Sequence, residues 1–388
     1  MVLNFNNLTS DQKLLIDQIF FEFQLKFQNL IDDIFKNNQN NIDLFFSNII
    51  SRNNDENEVY YSLCLIQLAL RLNEKSKINK IITTNEAQKR ILRQKIKNID
   101  IHCIKKRKNI FFKNTFQLLK NIHYIFKLWI SKNNKRKDKI KNLKNITIID
   151  IFFIPKMFSN NTFSDRYYGN LFEQVNNDQY NIVFFPNIFH KAIKKKFINL
   201  AEKKINIIIQ SDFLKLKDYL KSLFFFRRVK NFNLKNLYFE GLNIEDLIRN
   251  ELNKNKFSQP SLIALLNFFC FKRMKEEKVD LCKVIDWYEN QIVDKGFNYG
   301  KNYFFPKIIS KGYIGLNSIL EINPNFIPSK FEISKNISPN QICLISPKYF
   351  EIYKKVKKDI KFCLAPAFRN FSLFDQKHLK NKNIEKKK

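Results

Sequence analysis

The chain has 388 residues, 44% of them hydrophobic, and carries 69 Lys+Arg against 36 Asp+Glu for a formal net charge of +33. That length accommodates roughly two or three domains with a buried core, and that apolar content excludes global disorder. The surplus of positive charge favours polyanions, yet no C2H2 spacing, helix-turn-helix pattern or RNP-like aromatic strand accompanies it, which speaks against nucleic acid. With 41 Phe and many Ile and Asn, the lysines also fit a compositional drift that merely solvates surfaces.

Helical patterning comes first along the chain. Ser10 and Asp11 are placed to cap a helix whose apolar residues keep helical spacing from Leu14 through Ile16, Ile19, Phe20 and Phe23 to about Phe35. A second helix is predicted over 58–72, completing a helical N-terminal segment, 1–75. Then the rhythm changes. A strand over 78–83, a helix over 86–97 capped by Thr84 and Asn85, and a strand over 99–104 form a βαβ unit, which implies a parallel sheet.

Residues 110–130 predict a long helix rich in Phe, Leu and Ile and carrying Trp129. Its charges, Lys113, Lys120 and Lys127, recur every seven residues and so share one face. A basic stretch follows, with Lys132, Lys135, Arg136, Lys137, Lys139, Lys141 and Lys144. Residues 110–145 therefore have the form of a helix and basic loop lying in an anionic membrane interface. A packing helix followed by a lysine-rich loop fits the same pattern equally well. No apolar run reaches the length of a membrane span.

Alternation resumes beyond the basic stretch. Apolar runs at 146–154, 182–185, 205–210 and 283–285 are expected as strands, and the segments 165–175, 190–203, 214–226, 244–252, 260–277 and 291–299 as helices. Unbroken apolar strands imply a sheet covered on both faces. The expected fold class is α/β, a doubly wound, Rossmann-like parallel sheet over 76–315 behind the helical prelude. A linker marked by Pro324, Pro328 and Pro339 occupies 316–340. A strand–helix–strand unit lies within 341–376, and a basic tail, 377–388, is expected to fray.

The six cysteines form no C-x-x-C pair and, with no signal peptide in view, are expected as thiols of a reducing, cytoplasmic compartment. His102, His123, His190 and His378 are scattered, so no metal site is expected. There is no G-x-G-x-x-G, Walker, G-x-S-x-G or D-x-D pattern. That argues against a dinucleotide oxidoreductase, a P-loop ATPase, an α/β-hydrolase and a metal-chelating transferase.

Three constellations remain. Glu289 and Asn290, with Asp294 and Lys295, follow the 283–285 strand. A carboxylate there faces the cleft where such sheets bind ligands, and can act as general base or hold a polyol. Helix capping explains the same residues more simply. Asp165, Arg166, Tyr167, Tyr168 and Gly169 sit in the connection after the 146–154 strand. Arg166 would clamp an anionic substrate and Gly169 would let another segment approach, although a helix cap with an exposed Arg also fits. Arg369, in Ala365-Pro366-Ala367-Phe368-Arg369, follows the last strand and would meet a phosphate leaving group, or stand in a surface loop.

Taken in order, these motifs resemble bacterial surface-polysaccharide glycosyltransferases of GT-B type, in the neighbourhood of capsule and lipopolysaccharide sugar transferases. The resemblance is carried by Ser164-Asp165-Arg166-Tyr167-Tyr168-Gly169-Asn170-Leu171, Phe239-Glu240-Gly241 and Asp286-Trp287-Tyr288-Glu289-Asn290-Gln291. Asp294-Lys295-Gly296 with Phe304-Phe305-Pro306, Gly312-Tyr313, and Ala365 to Arg369 complete it, so that it spans roughly 50–375. It implies two Rossmann-like domains facing one cleft, with 76–315 on the acceptor side and 341–376 the start of a truncated donor domain. It implies transfer of a sugar from a nucleotide-sugar to a glycan or lipid-linked acceptor, with no further cofactor and no metal. By the same resemblance Glu289 is the catalytic residue. Asp165, Arg166, Tyr167, Gly169, Asn290, Asp294, Lys295, Tyr313 and Arg369 are the substrate-binding set, with Arg166 toward an anionic acceptor and Arg369 toward the diphosphate.

The chain departs from the pattern in two places. Ile314 follows Tyr313 where such sequences carry Gln or His, and the chain stops soon after Arg369. The donor domain is then cut off, supplied by a partner, or lost in a degenerate relative. The rival reading is a non-catalytic basic protein that holds an anionic polymer or membrane; on either reading the protein is expected in the cytoplasm, with peripheral association at the inner face of the plasma membrane.

Overall fold

The computed structural model describes residues 1–39, 41–51, 57–75, 78–104, 110–152, 165, 167–169, 181–187, 198, 202–203, 205–315, 327–356 and 359–370.

The N-terminal part opens with strand β1 (Val2–Asn4) and helix α1 (Ser10–Lys36). Thr9, one residue ahead of the expected cap, closes a capping box with Gln12: Gln12 N donates to Thr9 Oγ1 at 3.4 Å and Thr9 N to Gln12 Oε1 at 3.0 Å. Ile16, Ile19, Phe23, Phe27, Leu30, Ile31 and Ile34 form the buried stripe that the spacing predicts. It packs on α2 (Val59–Lys75), where Phe27 stacks on Tyr60 with ring centres 4.6 Å apart.

Strand β2 (Lys80–Thr83), helix α3 (Glu86–Leu92) and strand β3 (Asp100–Cys103) form the expected βαβ unit, and β1 joins them in a parallel sheet of order β1-β2-β3. Helix α3 is capped by Asn85 but ends well before residue 97. Gln94 is drawn away to bond the backbone of Asn243 in both directions, at 2.9 Å each way. Two helices follow, α4 (Ile110–Ile130) and α5 (Asn134–Asn142). The expected basic loop is thus helical, capped by Asn133 and anchored by buried Arg136, whose guanidinium grips both oxygens of Asp212 at 2.5 Å.

The second sheet is built from β4 (Ile146–Phe152), β5 (Asn181–Asn187), β8 (Leu281–Trp287), β9 (Ile309–Ile314), β10 (Gln341–Leu344) and β11 (Phe362–Leu364), all paired parallel. A two-stranded hairpin, β6 (Tyr238–Phe239) and β7 (Leu242–Asn243), stands apart. The spatial order is β11-β10-β9-β8-β4-β5, a mixed α/β fold of Rossmann-like kind. The chain steps outward from β4 to β5, returns across β4 to lay down β8, and then advances the other way. Its direction therefore reverses between β4 and β8. At such a point no crossover covers the carboxyl ends of the strands, and a crevice is left.

Sheet membership corrects the expected division in two respects. β2 and β3 pair with β1 rather than with the strands from β4 onward. β10 and β11 extend the edge formed by β9, so residues 341–364 complete the six-stranded sheet instead of opening another. The strand expected over 205–210 is reduced to one bridge, Phe184 to Ile207, because Asp212 turns the chain into a short helix over Gln210–Phe213 by accepting from Ile209 N at 3.0 Å. Most of the helix expected over 190–203 lies outside the described residues.

Helix α6 (Leu216–Leu223) packs against α8 (Gln259–Glu276), α7 (Glu245–Lys254) packs against α2 and α3, and α9 (Ile292–Phe304) packs against α8 and on β8 and β9. Arg273 of α8 pairs bidentately with Asp218 of α6 at 2.8 and 2.6 Å, both side chains buried. Helices α8 and α9 meet at Gly296 and Gly300, where a Cβ would stand 2.2 Å from Ala264 O and 2.9 Å from Phe268 Cα. Only the absence of a side chain permits that approach, which fixes α9 and the loop ahead of it beside the crevice.

The segment expected as linker contains helix α10 (Lys330–Ser334), capped by Ser329, and α11 (Pro347–Val356) lies between the last two strands.

Candidate functional site

The candidate site lies at the carboxyl ends of β4 and β8. Strand β8 runs further than 283–285. Asp286 and Trp287 belong to it, in register with Gly312 and Tyr313 of β9, and the chain breaks only at Tyr288 to Asn290. Asn290 makes the turn in the left-handed region, at φ 54°.

Two strand carboxyls form the floor. Asp150 and Asp286 are both fully buried. Burial holds the Asp286 carboxyl well above the usual carboxylate range; the charge of Asp150 and a hydrogen bond with it push the same way, against a bond from Asn298 Nδ2. The Tyr168 phenol is buried over them and resists ionisation, first through burial and then through the charges of Asp150, Asp286 and Asp165.

Above the floor lies an aromatic wall. The Trp287 ring lies 4.3 Å from Tyr167, 5.9 Å from Tyr168 and 5.4 Å from Tyr313, centre to centre. Where a helix over 165–175 is expected, the described residues 165 and 167–169 make a turn, and the rest of that segment lies outside the described residues. Asp165 Oδ1 accepts from Tyr167 N at 2.7 Å and Tyr168 N at 2.8 Å, and Gly169 N donates to Asp165 O at 3.2 Å, with Gly169 at φ 50°. Asp165 thereby aims Tyr167 and Tyr168 at Trp287, and being buried it has a carboxyl raised by desolvation.

Glu289 stands half-buried at the end of β8. Trp287 Nε1 donates to one of its oxygens at 2.8 Å and Gln291 Nε2 to the other at 2.6 Å. Each oxygen keeps a further lone pair for a hydroxyl. Asp294 works differently. It accepts from Glu289 N at 2.9 Å and Gln291 N at 3.0 Å, and so caps α9. Burial, then the charge of Asp286, raise its carboxyl, while those two backbone donors lower it. Lys295 is buried and turned inward, donating to Glu332 at 2.5 Å and to Asn290 Oδ1 at 3.1 Å.

Arg369 closes the group from β11. Its guanidinium carbon lies 5.7 Å from the centre of the Tyr167 ring. Tyr313 pins that segment by donating to Pro366 O at 2.9 Å and accepting from Phe368 N at 3.1 Å. Burial pushes its phenol up to about 12.

Of the ten residues marked in the sequence, Tyr167, Glu289, Tyr313 and Arg369 meet around Trp287. Asp165, Gly169, Asn290, Asp294 and Lys295 shape that meeting from behind. Arg166 lies outside the described residues. Sequence reasoning missed Asp150 and the importance of Asp286, although a signal was present. Asp150 interrupts the 146–154 apolar run and Asp286 follows Val284-Ile285, and the apolar residues just before the two carboxylates pair in register.

Among the described residues no group of three His, Cys, Asp or Glu is placed to hold a metal ion. A cleft of about 560 Å³ lies elsewhere, lined by Asn37, Asn41, Asp43, Lys221 and Arg228. Its principal charges are spent on each other, Arg228 gripping Asp43 at 2.7 and 2.8 Å, which leaves the switch point as the better candidate. No protein-family model matches the chain, and no curated protein or solved structure shows significant similarity to it.

Proposed function

We propose that this protein is a glycosyltransferase-like protein of bacterial surface-polysaccharide assembly, related to the GT-B enzymes and working in the cytoplasm. It would move a sugar from a nucleotide-sugar to a hydroxyl of a glycan or lipid-linked acceptor. One observation carries the reading: Trp287 at the end of β8, and Tyr167, Glu289 and Arg369 from the segments after β4, β8 and β11, form a continuous line of contact at the switch point. This puts a guanidinium suited to a diphosphate at one end and a carboxylate suited to a hydroxyl at the other. Between them Tyr167, part-exposed and backed by the buried Trp287, offers a ring of the kind on which a sugar or base stacks. Glu289 serves as general base or acceptor holder, Arg369 balances the diphosphate, and Arg166 is assigned to an anionic acceptor.

Calorimetric titration of the full chain with nucleotide-sugars tests the reading. Saturable binding is expected, weakened at least about tenfold in Arg369→Ala, since a charge-assisted hydrogen bond contributes about 1.5–3 kcal/mol. Absence of saturable binding for every nucleotide-sugar overturns it. With a donor in hand, Glu289→Gln is expected to keep its affinity and lose about 100-fold or more in turnover. Unchanged turnover removes Glu289 from the chemistry.

A further inference from the structure

Helix α4 is built inside out. The side facing the protein carries Asn114, Asn121, Tyr124 and Leu128, all buried. Its two asparagines are satisfied by backbone carbonyls, Asn114 Nδ2 donating to Asn253 O at 3.3 Å and Asn121 Nδ2 to Phe257 O at 3.0 Å. The opposite side carries Phe111, Phe112, Phe116, Leu119, Ile122, Phe126, Trp129 and Ile130, each exposed, from 44% for Ile122 to 73% for Phe111. At 100° per residue these eight positions form one continuous stripe, diametrically opposite the buried one. A solvated helix of a globular protein carries the reverse pattern, and a contiguous apolar face of this size marks a contact surface.

Charge selects what the surface meets. Lys113, Lys120 and Lys127 run along one edge of the stripe, with Lys120 Nζ 4.4 Å from the centre of the Phe116 ring. Exposed Lys132, Lys135, Lys139 and Lys144 continue beyond it, and between 110 and 145 the one acidic residue is Asp138. Helix α6, which packs against α4, exposes Leu216 and Leu220 as well. A second copy, whose whole chain also carries a net +33, would set one lysine edge against another here and is disfavoured by repulsion. An anionic bilayer satisfies both features at once, taking the aromatic stripe into its acyl boundary and the lysines at its headgroups. No helix among the described residues is long and apolar enough to cross a membrane, so α4 lies in the plane of the interface rather than through it.

We infer that α4 docks the protein on anionic lipid bilayers, with Phe112, Phe116, Phe126 and Trp129 immersed and the Lys113–Lys120–Lys127 edge on the phosphates. The inference stands whether or not the chain transfers sugar.

Flotation of the full chain with vesicles of phosphatidylcholine and phosphatidylglycerol, against phosphatidylcholine alone, provides the test. Binding to the anionic vesicles is expected, at least about tenfold weaker without phosphatidylglycerol or at high salt. Trp129 fluorescence should shift to the blue, since Trp287 is already buried. The triple variant Phe112→Ser, Phe116→Ser, Phe126→Ser should lose vesicle binding at least about tenfold while keeping its circular dichroism, because each of those residues is more than half exposed. Lys113→Gln with Lys120→Gln should abolish the preference for anionic lipid. Wild-type protein that stays with the unbound fraction overturns the inference. So does a folded triple variant that floats as well as wild type, or a dimer in solution that the triple variant dissolves in the absence of any vesicle binding.

Discussion

The switch point and helix α4 break the same rule in opposite directions. At the switch point, carboxyls and a lysine sit inside: Asp150, Asp286, Asp294 and Lys295 are all buried. On α4, aromatic rings sit outside while amides face in. Apolar residues scattered singly on a surface mean little, whereas buried charge and a contiguous exposed apolar face each need a cause. The two departures have different costs. The first lowers stability unless every group is partnered, and the second costs little stability but leaves a surface that water covers poorly. Substitutions should therefore separate them cleanly.

The largest effect is expected at Glu332. Glu332→Ala leaves Lys295 buried without its carboxylate, and denaturant unfolding should show a loss of about 3–5 kcal/mol. The double variant Lys295→Met, Glu332→Leu should recover most of it. Failure of the single variant to destabilise would show that water reaches Lys295 and that the switch-point interior is wetter than its burial indicates.

Tyr313→Phe comes next. It removes the hydroxyl that holds Pro366 and Phe368. A loss of about 1–2 kcal/mol in unfolding free energy is expected, together with weaker nucleotide-sugar binding through a loosened Arg369. Weaker binding with unchanged stability would sharpen the comparison further, because it would make Tyr313 a positioning residue alone.

Asp286→Asn probes the raised carboxyl of Asp286. The folded protein keeps on Asp286 a proton that the unfolded chain releases above about pH 3.9. The contribution of this group to stability is thus fully present below that pH and declines as pH rises toward the raised native pKa. Asparagine does not titrate and still offers a donor to Asp150. The variant should melt higher than wild type at alkaline pH, with the gap closing toward pH 4. A gap independent of pH would mean that Asp286 is ionised in the native protein.

The smallest stability effect is expected on α4. Phe112→Ser, Phe116→Ser and Phe126→Ser should each change unfolding free energy by no more than about 0.5 kcal/mol, as exposed sites do. A larger loss would mean that these rings pack on the protein, and the contrast with the switch point would weaken.

How far the sequence led differs between the same two regions. Helix α4 was legible to both ends, because a long apolar segment with lysines at heptad spacing has one regular conformation that suits it. Its inverted orientation was not legible, since periodicity defines faces without saying which one meets the protein. At the switch point Glu289, Tyr167 and Arg369 stood out by their place after expected strands. Asp150 stayed hidden inside an apolar run, and the role of Glu332 was masked because 316–340 reads as loop. Asp165 begins a turn rather than a helix over the described residues 165 and 167–169 because an aspartate that accepts from the backbone amides two and three residues on serves a turn as readily as a helix cap. Which strands share a sheet was out of reach for a related reason. Apolar runs of similar length advertise burial but not their neighbours, and β10 differs from β4 mainly in the edge it finds.

The Lys295–Glu332 pair has a consequence for how such a sequence can diverge. Each residue alone is a liability in the other's absence, so neither can be exchanged singly without passing through a damaged intermediate. In any set of relatives the two positions should be inherited as a unit, ion pair or apolar pair, though 37 residues apart in the chain. A descendant carrying one without the other would mark a lineage in which α9 and α10 had already come apart.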